Sequence, residues 1–183
     1  MHADLRKRLV TGFRWLDPGP HSTHLVSDMS GWWHDPEILA GIGPALAALF
    51  PTDRPTVVVS PEATGYLVGP LVATAVGAGF VPAVKQAAGR QVAEPVTWAH
   101  TPPDYRDRTL RLGVRDRHLG PADRMLVVDD WVATGAQVRA IYEIAARRGA
   151  TIVGTAAIVA DCPGEIARDL GLRTLLQAHH LAA

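Results

Sequence analysis

Residues 125–137 read Met-Leu-Val-Val-Asp-Asp-Trp-Val-Ala-Thr-Gly-Ala-Gln, and this stretch decides the fold. Met125 to Val128 form a short apolar run, as expected of a strand covered on both faces. Asp129 and Asp130 follow at its carboxyl end, where open α/β sheets place their ligands. Ala133-Thr134-Gly135-Ala136 then turns the chain with almost no side-chain bulk, leaving backbone N–H groups at the start of the next helix to cradle an anion. Two carboxylates can accept hydrogen bonds from a cis-diol or hold Mg²⁺ through water. Strand, acid pair and anion loop together suit a sugar 5-phosphate. A plain strand-turn-helix with solvated acids is the competing reading, and Asp-Asp with Ala-Thr-Gly at this spacing argues against it.

Working outward, strand-like runs at 56–60, 80–84, 125–129 and 151–159 alternate with helical patterns at 36–49, 65–77 and 137–148. Such alternation predicts a parallel sheet with helices on both faces. Ile38, Ile42, Leu46 and Leu49 recur at helical intervals, as do Val138, Ile141, Ile144 and Ala145. Asp35-Pro36-Glu37 supplies a cap, a first-turn proline and an acid before the first of these helices, and Gly149 ends the second. Between 86 and 124 the composition shifts to Gly, Pro, Arg and Asp, with β-like pieces near 95–99 and 109–114. An excursion of that length from a compact sheet predicts a functional lid or a disordered segment.

The 183 residues suit one domain with a substantial core. Eighteen basic residues balance eighteen acidic ones, so no global field favours nucleic acid or a membrane surface, and any anion site is local. The charged start, Met1 to Arg8, does not read as a signal peptide, and no apolar run reaches the length of a membrane span. A cytoplasmic enzyme or binding protein is expected. Cys162 stands alone, which excludes a disulfide framework and a cysteine-based zinc site. His179 and His180 are adjacent, so their side chains diverge and no metal site is assigned to them.

The 125–137 stretch resembles the 5-phosphoribosyl-1-pyrophosphate (PRPP) signature of the type I phosphoribosyltransferases: four apolar residues, two acids, two apolar residues, then Ala-Thr-Gly-Gly-Thr. Its first eleven positions are kept, and it departs at Ala136 and Gln137, where Gly and a hydroxyl residue are usual. A second strand and turn, Val57-Val58-Val59-Ser60-Pro61-Glu62-Ala63-Thr64-Gly65-Tyr66, is similar to the pyrophosphate loop of the adenine and xanthine members. That resemblance implies a cis peptide at Glu62–Ala63. Phe80-Val81-Pro82-Ala83-Val84-Lys85 resembles the next strand of the adenine members, which places Lys85 against the leaving pyrophosphate. Asp104-Tyr105, with Leu110 beyond, resembles the family's catalytic loop, and Arg90, Arg106 and Arg108 could meet phosphate as it closes.

In the base segment, His24-Leu25-Val26-Ser27-Asp28-Met29 aligns with Ile-Leu-Phe-Arg-Asp-Ile, so Val26 and Ser27 stand where a stacking ring and a planar cation are usual. Trp131, or the Trp32-Trp33 pair, could supply the missing surface. The likeness implies an α/β fold of the type I phosphoribosyltransferase kind: a mostly parallel central sheet flanked by helices, with a small N-terminal hood (1–34), a core (35–160) and a flexible β-loop lid within it (86–115). It implies a PRPP-dependent transferase that moves the phosphoribosyl group to a purine, adenine-like in salvage. Asp129, Asp130 and Asp104 would be catalytic. Ala133, Thr134, Gly135, Ala136 and Gln137 would hold the 5-phosphate, and Glu62, Ala63, Thr64 and Lys85 the pyrophosphate. Leu25, Val26 and Trp131 would meet the base. Mg²⁺ would come mainly through PRPP and water, near Asp129 and Asp130, and a homodimer is implied. Two alternatives stay open: a PRPP-binding regulator without turnover, and a transferase with a non-purine acceptor.

Overall fold

A computed structural model of the chain describes residues 2–20, 25–87, 92–103 and 108–181. Helix α1 (His2–Gly12) leads into a small hairpin, β1 (Arg14–Leu16) and β2 (Val26–Asp28), and then into α2 (Ser30–His34) and α3 (Pro36–Ala47). The core follows as β3 (Val57–Pro61), α4 (Gly65–Val76), β4 (Gly79–Lys85), β5 (Val96–His100), β6 (Arg111–Arg115), β7 (Arg124–Val132), α5 (Ala136–Arg148), β8 (Thr151–Ala160), α6 (Gly164–Asp169) and β9 (Leu172–Gln177). Single 3₁₀ turns sit at Asp116–His118 and Ala178–Leu181.

Seven strands form one sheet in the order β5-β6-β4-β3-β7-β8-β9. The five from β4 to β9 are parallel, while β6 runs antiparallel to β4 and β5 antiparallel to β6. The chain passes from β3 outward to β4, then returns across the sheet to β7 and continues the other way. Strand order therefore reverses between β3 and β7, and a crevice opens at their carboxyl ends, the position where doubly wound sheets bind ligands.

Two apolar layers cover the sheet. Leu126 and Val128 of β7 face a layer built from α1, α3 and α4, including Leu9, Ile38, Ile42, Leu46 and Val72. Met125 and Val127 alternate to the other face, against Val138, Ile141 and Ile144 of α5. Burial on both faces is what the unbroken apolar run of β7 anticipated. Asp35 caps α3 by accepting from the N–H groups of Glu37 and Ile38, with Pro36 in the first turn.

The excursion between β4 and β7 is partly sheet. Ala99 of β5 and Leu112 and Val114 of β6 lie buried in the α5-side layer, so the two strands extend the sheet edge, and these parts of the stretch expected as a lid at 86–115 are sheet. Arg147 and Arg148 at the end of α5 brace this extension. They donate to the carbonyls of Trp98 (2.8 Å), Leu119 (3.1 Å) and Asp116 (2.9 Å). Leu5, Leu9 and Phe13, the apolar stripe of α1 and its end, are buried in this chain's own core. Among the described residues, no helix is long and apolar enough to cross a membrane.

Candidate phosphoribosyl site

Parallel pairing of Val59 with Val127 sets the end of β3 beside the end of β7. The two turns that leave these strands therefore open onto the same crevice. Gly65 gauges how close they come: a Cβ there would lie 3.3 Å from Asp129 Oδ1 and 3.3 Å from Ser60 Cβ. Glu62, Ala63, Thr64 and the acid pair, far apart in the chain, thus border one site.

Asp129 and Asp130 are 4 % and 8 % exposed, and the N–H of Asp130 donates to Asp129 Oδ1 at 3.0 Å. Burial pushes Asp129 well above the usual carboxylate range, and the neighbouring Asp130 charge pushes it further; the Lys85 charge pulls weakly the other way. Asp130 is raised as well, chiefly by burial. Both shifts favour the protonated carboxyl over the carboxylate at this buried pair. Cations or hydroxyl groups arriving at the crevice offset the cost of ionising both acids.

Trp131 and Val132, the last residues of β7, lead into the turn Ala133-Thr134-Gly135. Gly135 has φ 70° and ψ 10°, the left-handed region, and is the N-cap of α5. The first N–H groups of α5 follow directly on this turn. Thr134 Oγ1 accepts from the Ala136 N–H at 3.3 Å. Gln137 lies at the second helical position, and its Oε1 is buried with no hydrogen-bond partner among the described residues.

On the other side, the Glu62–Ala63 peptide is cis. The Glu62 N–H donates to Ala83 O (3.0 Å), and its Oε2 accepts the backbone N–H of Lys85 at 2.8 Å. Glu62 thus ties the turn after β3 to the end of β4, where Lys85 stands. Thr64 caps α4 through its backbone alone, with Leu67 N–H donating to its carbonyl at 2.9 Å.

The base-binding set divides. Leu25 and Val26 are half exposed, and Val26 pairs with Leu16 on the hairpin face opposite Trp15 and Ser27. Trp131 instead meets Trp15 edge-on at 6.0 Å and stacks on Phe13 at 5.9 Å. Trp32 is fully buried and donates its indole N–H to Leu9 O at 2.7 Å, which makes it a core residue. Asp104, Tyr105, Arg106 and Arg90 lie outside the described residues. Two features escaped the sequence reading. Phe13 and Trp15 back Trp131, and Asp161, the first residue past β8, accepts the Trp131 indole N–H at 3.3 Å. Asp161 ends an apolar strand just as Asp129 does, and that parallel was the available signal.

Comparison with known proteins agrees with this geometry. The phosphoribosyl transferase domain family matches residues 34–172. The adenine phosphoribosyltransferase of Streptomyces clavuligerus is 30 % identical over 159 residues, spanning 87 % of this chain and 86 % of that protein. The xanthine phosphoribosyltransferase of Brevibacillus brevis is 34 % identical over 125 residues, 68 % of this chain and 63 % of that protein. Among solved structures, the Trypanosoma brucei adenine enzyme, in complex with AMP, pyrophosphate and ribose-5-phosphate, superposes with a TM-score of 0.82 at 20 % identity. That match covers 97 % of this chain and 81 % of the other. The Rhodothermus marinus adenine enzyme gives 0.79 at 24 % identity, over 96 % and 99 %. With the family's domain matched over residues 34–172, most of the chain, and a relative 30 % identical over 87 % of it, the chain belongs to the phosphoribosyltransferase family.

Proposed function

We propose that the protein transfers the 5-phosphoribosyl group of PRPP to a ring nitrogen of a purine, adenine foremost, and releases pyrophosphate. The observation that carries this reading is the placement of two anion-suited turns, 133–137 and 62–64 with Lys85, on either side of one buried acid pair. A sugar bearing phosphate at C5 and diphosphate at C1 has that same charge distribution. Adenine is favoured by the names of the relatives over most of the chain.

The C1–oxygen bond to pyrophosphate breaks and a C1–nitrogen bond forms, through a transition state with positive charge on the ribose ring, and the proton of the acceptor nitrogen is released to solvent. The α5 N–H groups hold the 5-phosphate as a remote anchor, and that binding energy aligns C1. Asp129 and Asp130 accept from the ribose hydroxyls and, once ionised, offset the ring charge. Lys85 and the 62–64 turn take up negative charge on the departing pyrophosphate. Among the described residues no three His, Cys, Asp or Glu side chains cluster to hold a metal. Mg²⁺ brought by PRPP would therefore take its ligands mainly from phosphate and water, beside two hard carboxylates, and would supply charge neutralisation there. A homodimer belongs to the same proposal, with a surface other than the α1 stripe, which is already buried.

A specific observation favours the regulator reading: the unpartnered Gln137 Oε1 in the phosphate loop. Turnover decides between them. With PRPP and Mg²⁺, adenine should be converted to its nucleotide faster than hypoxanthine, xanthine, uracil or orotate. PRPP binding without turnover on any acceptor would establish the regulator instead.

A further inference from the structure

Three contacts fix the indole of Trp131, the residue directly after the acid pair. Phe13 stacks on it with centroids 5.9 Å apart and planes 26° apart, Trp15 meets it edge-on at 6.0 Å and 80°, and its Nε1–H donates to Asp161 Oδ2 at 3.3 Å. Ring contacts are broad in position and leave a ring able to slide within its own plane; a hydrogen bond at the ring edge removes that freedom. Asp161 is itself held. Its N–H donates to Val132 O at 2.8 Å, which continues the β7–β8 ladder one residue past the Val132–Ala160 pair. The carboxylate therefore projects from fixed backbone at the ligand-bearing edge, one strand over from Asp129 and Asp130. Asp161 is exposed, and among the described residues the Trp131 indole N–H is the donor that its carboxylate accepts.

We propose that Asp161 is a positioning residue for the acceptor: by holding the Trp131 N–H it sets the plane and depth of the aromatic surface on which the base lies. The proposal rests on the reading of Trp131 as a base contact. Phe13 backs the indole, Trp15 fixes its edge, and Asp161 fixes its rotation, so the surface is formed before the base arrives and little ordering remains to be done on binding. This arrangement also accounts for how a chain with Val26 and Ser27 in the base segment retains a stacking platform.

The test uses steady-state kinetics of the full chain with adenine and PRPP, on Asp161→Ala, Asp161→Asn, Trp131→Phe and the Trp131→Phe/Asp161→Ala pair. Asp161→Ala is expected to raise the KM for adenine about three- to tenfold, the range of one lost hydrogen bond, with the KM for PRPP unchanged. Asp161→Asn keeps an oxygen that accepts the indole N–H and should restore the wild-type adenine KM. Trp131→Phe should raise the adenine KM by itself and make Asp161→Ala silent in the pair. An unchanged adenine KM in Asp161→Ala, with Trp131→Phe impaired, overturns the proposal. So does an Asp161→Ala effect that persists in the Trp131→Phe background, or an Asn variant as impaired as Ala, since either means that the charge acts on the acceptor directly. Trp131→Phe with an unaltered adenine KM refutes the placement of the base on Trp131, a separate failure from that of Asp161.

Discussion

Replacing Gly135 by Ala perturbs the phosphate turn at one atom, and Gly149→Ala provides a matched control. Both glycines cap α5, one at each end, with φ of 70° and 73°. An L-residue in that region costs about 1–2 kcal/mol, common to both variants. They differ in space. A Cβ at Gly149 would lie 3.3 Å from Pro121 Cγ, a tight contact, whereas one at Gly135 would lie 2.5 Å from Leu170 Cδ1 and 3.4 Å from Ile166 Cγ2. Leu170 is 1 % exposed, so its displacement disturbs the α5-side core. Overpacking of that kind adds about 1–3 kcal/mol. At about 2–4 °C per kcal/mol for a domain of this size, Gly135→Ala should melt several degrees below Gly149→Ala.

Function should separate the two variants more sharply. Moving the turn misdirects the α5 N–H groups, and one lost charge-assisted hydrogen bond to phosphate corresponds to about ten- to a hundredfold in PRPP affinity. Gly149→Ala, at the far end of the helix, should leave PRPP binding unchanged. Scanning calorimetry and isothermal titration with PRPP measure both effects. Equal melting points together with equal PRPP affinities in the two variants would refute the reasoning.

The acid pair predicts a pH signature. Because the folded pKa of Asp129 is raised, its proton favours the folded state below the unfolded value near 3.8, and that contribution is lost as pH rises through the folded value. Asp129→Asn should therefore lower activity severely yet be less weakened than wild type between acidic and neutral pH in denaturant titrations; an identical pH profile would contradict this. Gln137→Thr should tighten PRPP binding about three- to tenfold by replacing a buried acceptor with a hydroxyl donor, as read by titration, and weaker binding would contradict it. Lys85→Gln should weaken product inhibition by pyrophosphate at least about tenfold without changing the adenine KM, and unchanged pyrophosphate inhibition would exclude Lys85 from that subsite.

Local chemistry made much of this readable in advance. β3, β4, β8 and helices α3 to α5 fall within one or two residues of their sequence expectations, because each is a buried run or a periodic pattern bounded by its own cap or glycine, whereas β7 runs three residues past its expected end at 129, through the acid pair to Val132. The cis peptide at Glu62–Ala63 followed from the resemblance of the turn. β9 was not foreseen: Leu172–Gln177 is an edge strand, only partly buried, so its apolar alternation is faint. The hood strands have three residues each, too few for any period. How β5 and β6 join the sheet antiparallel at β4 depends on register, which no local pattern carries. Site residues carried by turns were visible for the same local reason. Asp161 and Phe13 were not, since each matters through Trp131, a neighbour made by sheet order rather than by the chain.

The central claim is a PRPP pocket built around Asp129 and Asp130. Isothermal titration of PRPP with Mg²⁺ into the wild-type chain and into the Asp129→Asn/Asp130→Asn variant tests it most directly. The account predicts saturable binding by the wild type, strongly weakened in a variant that remains folded. Absence of PRPP binding by the wild type with Mg²⁺ present, or undiminished binding by the variant, would contradict it.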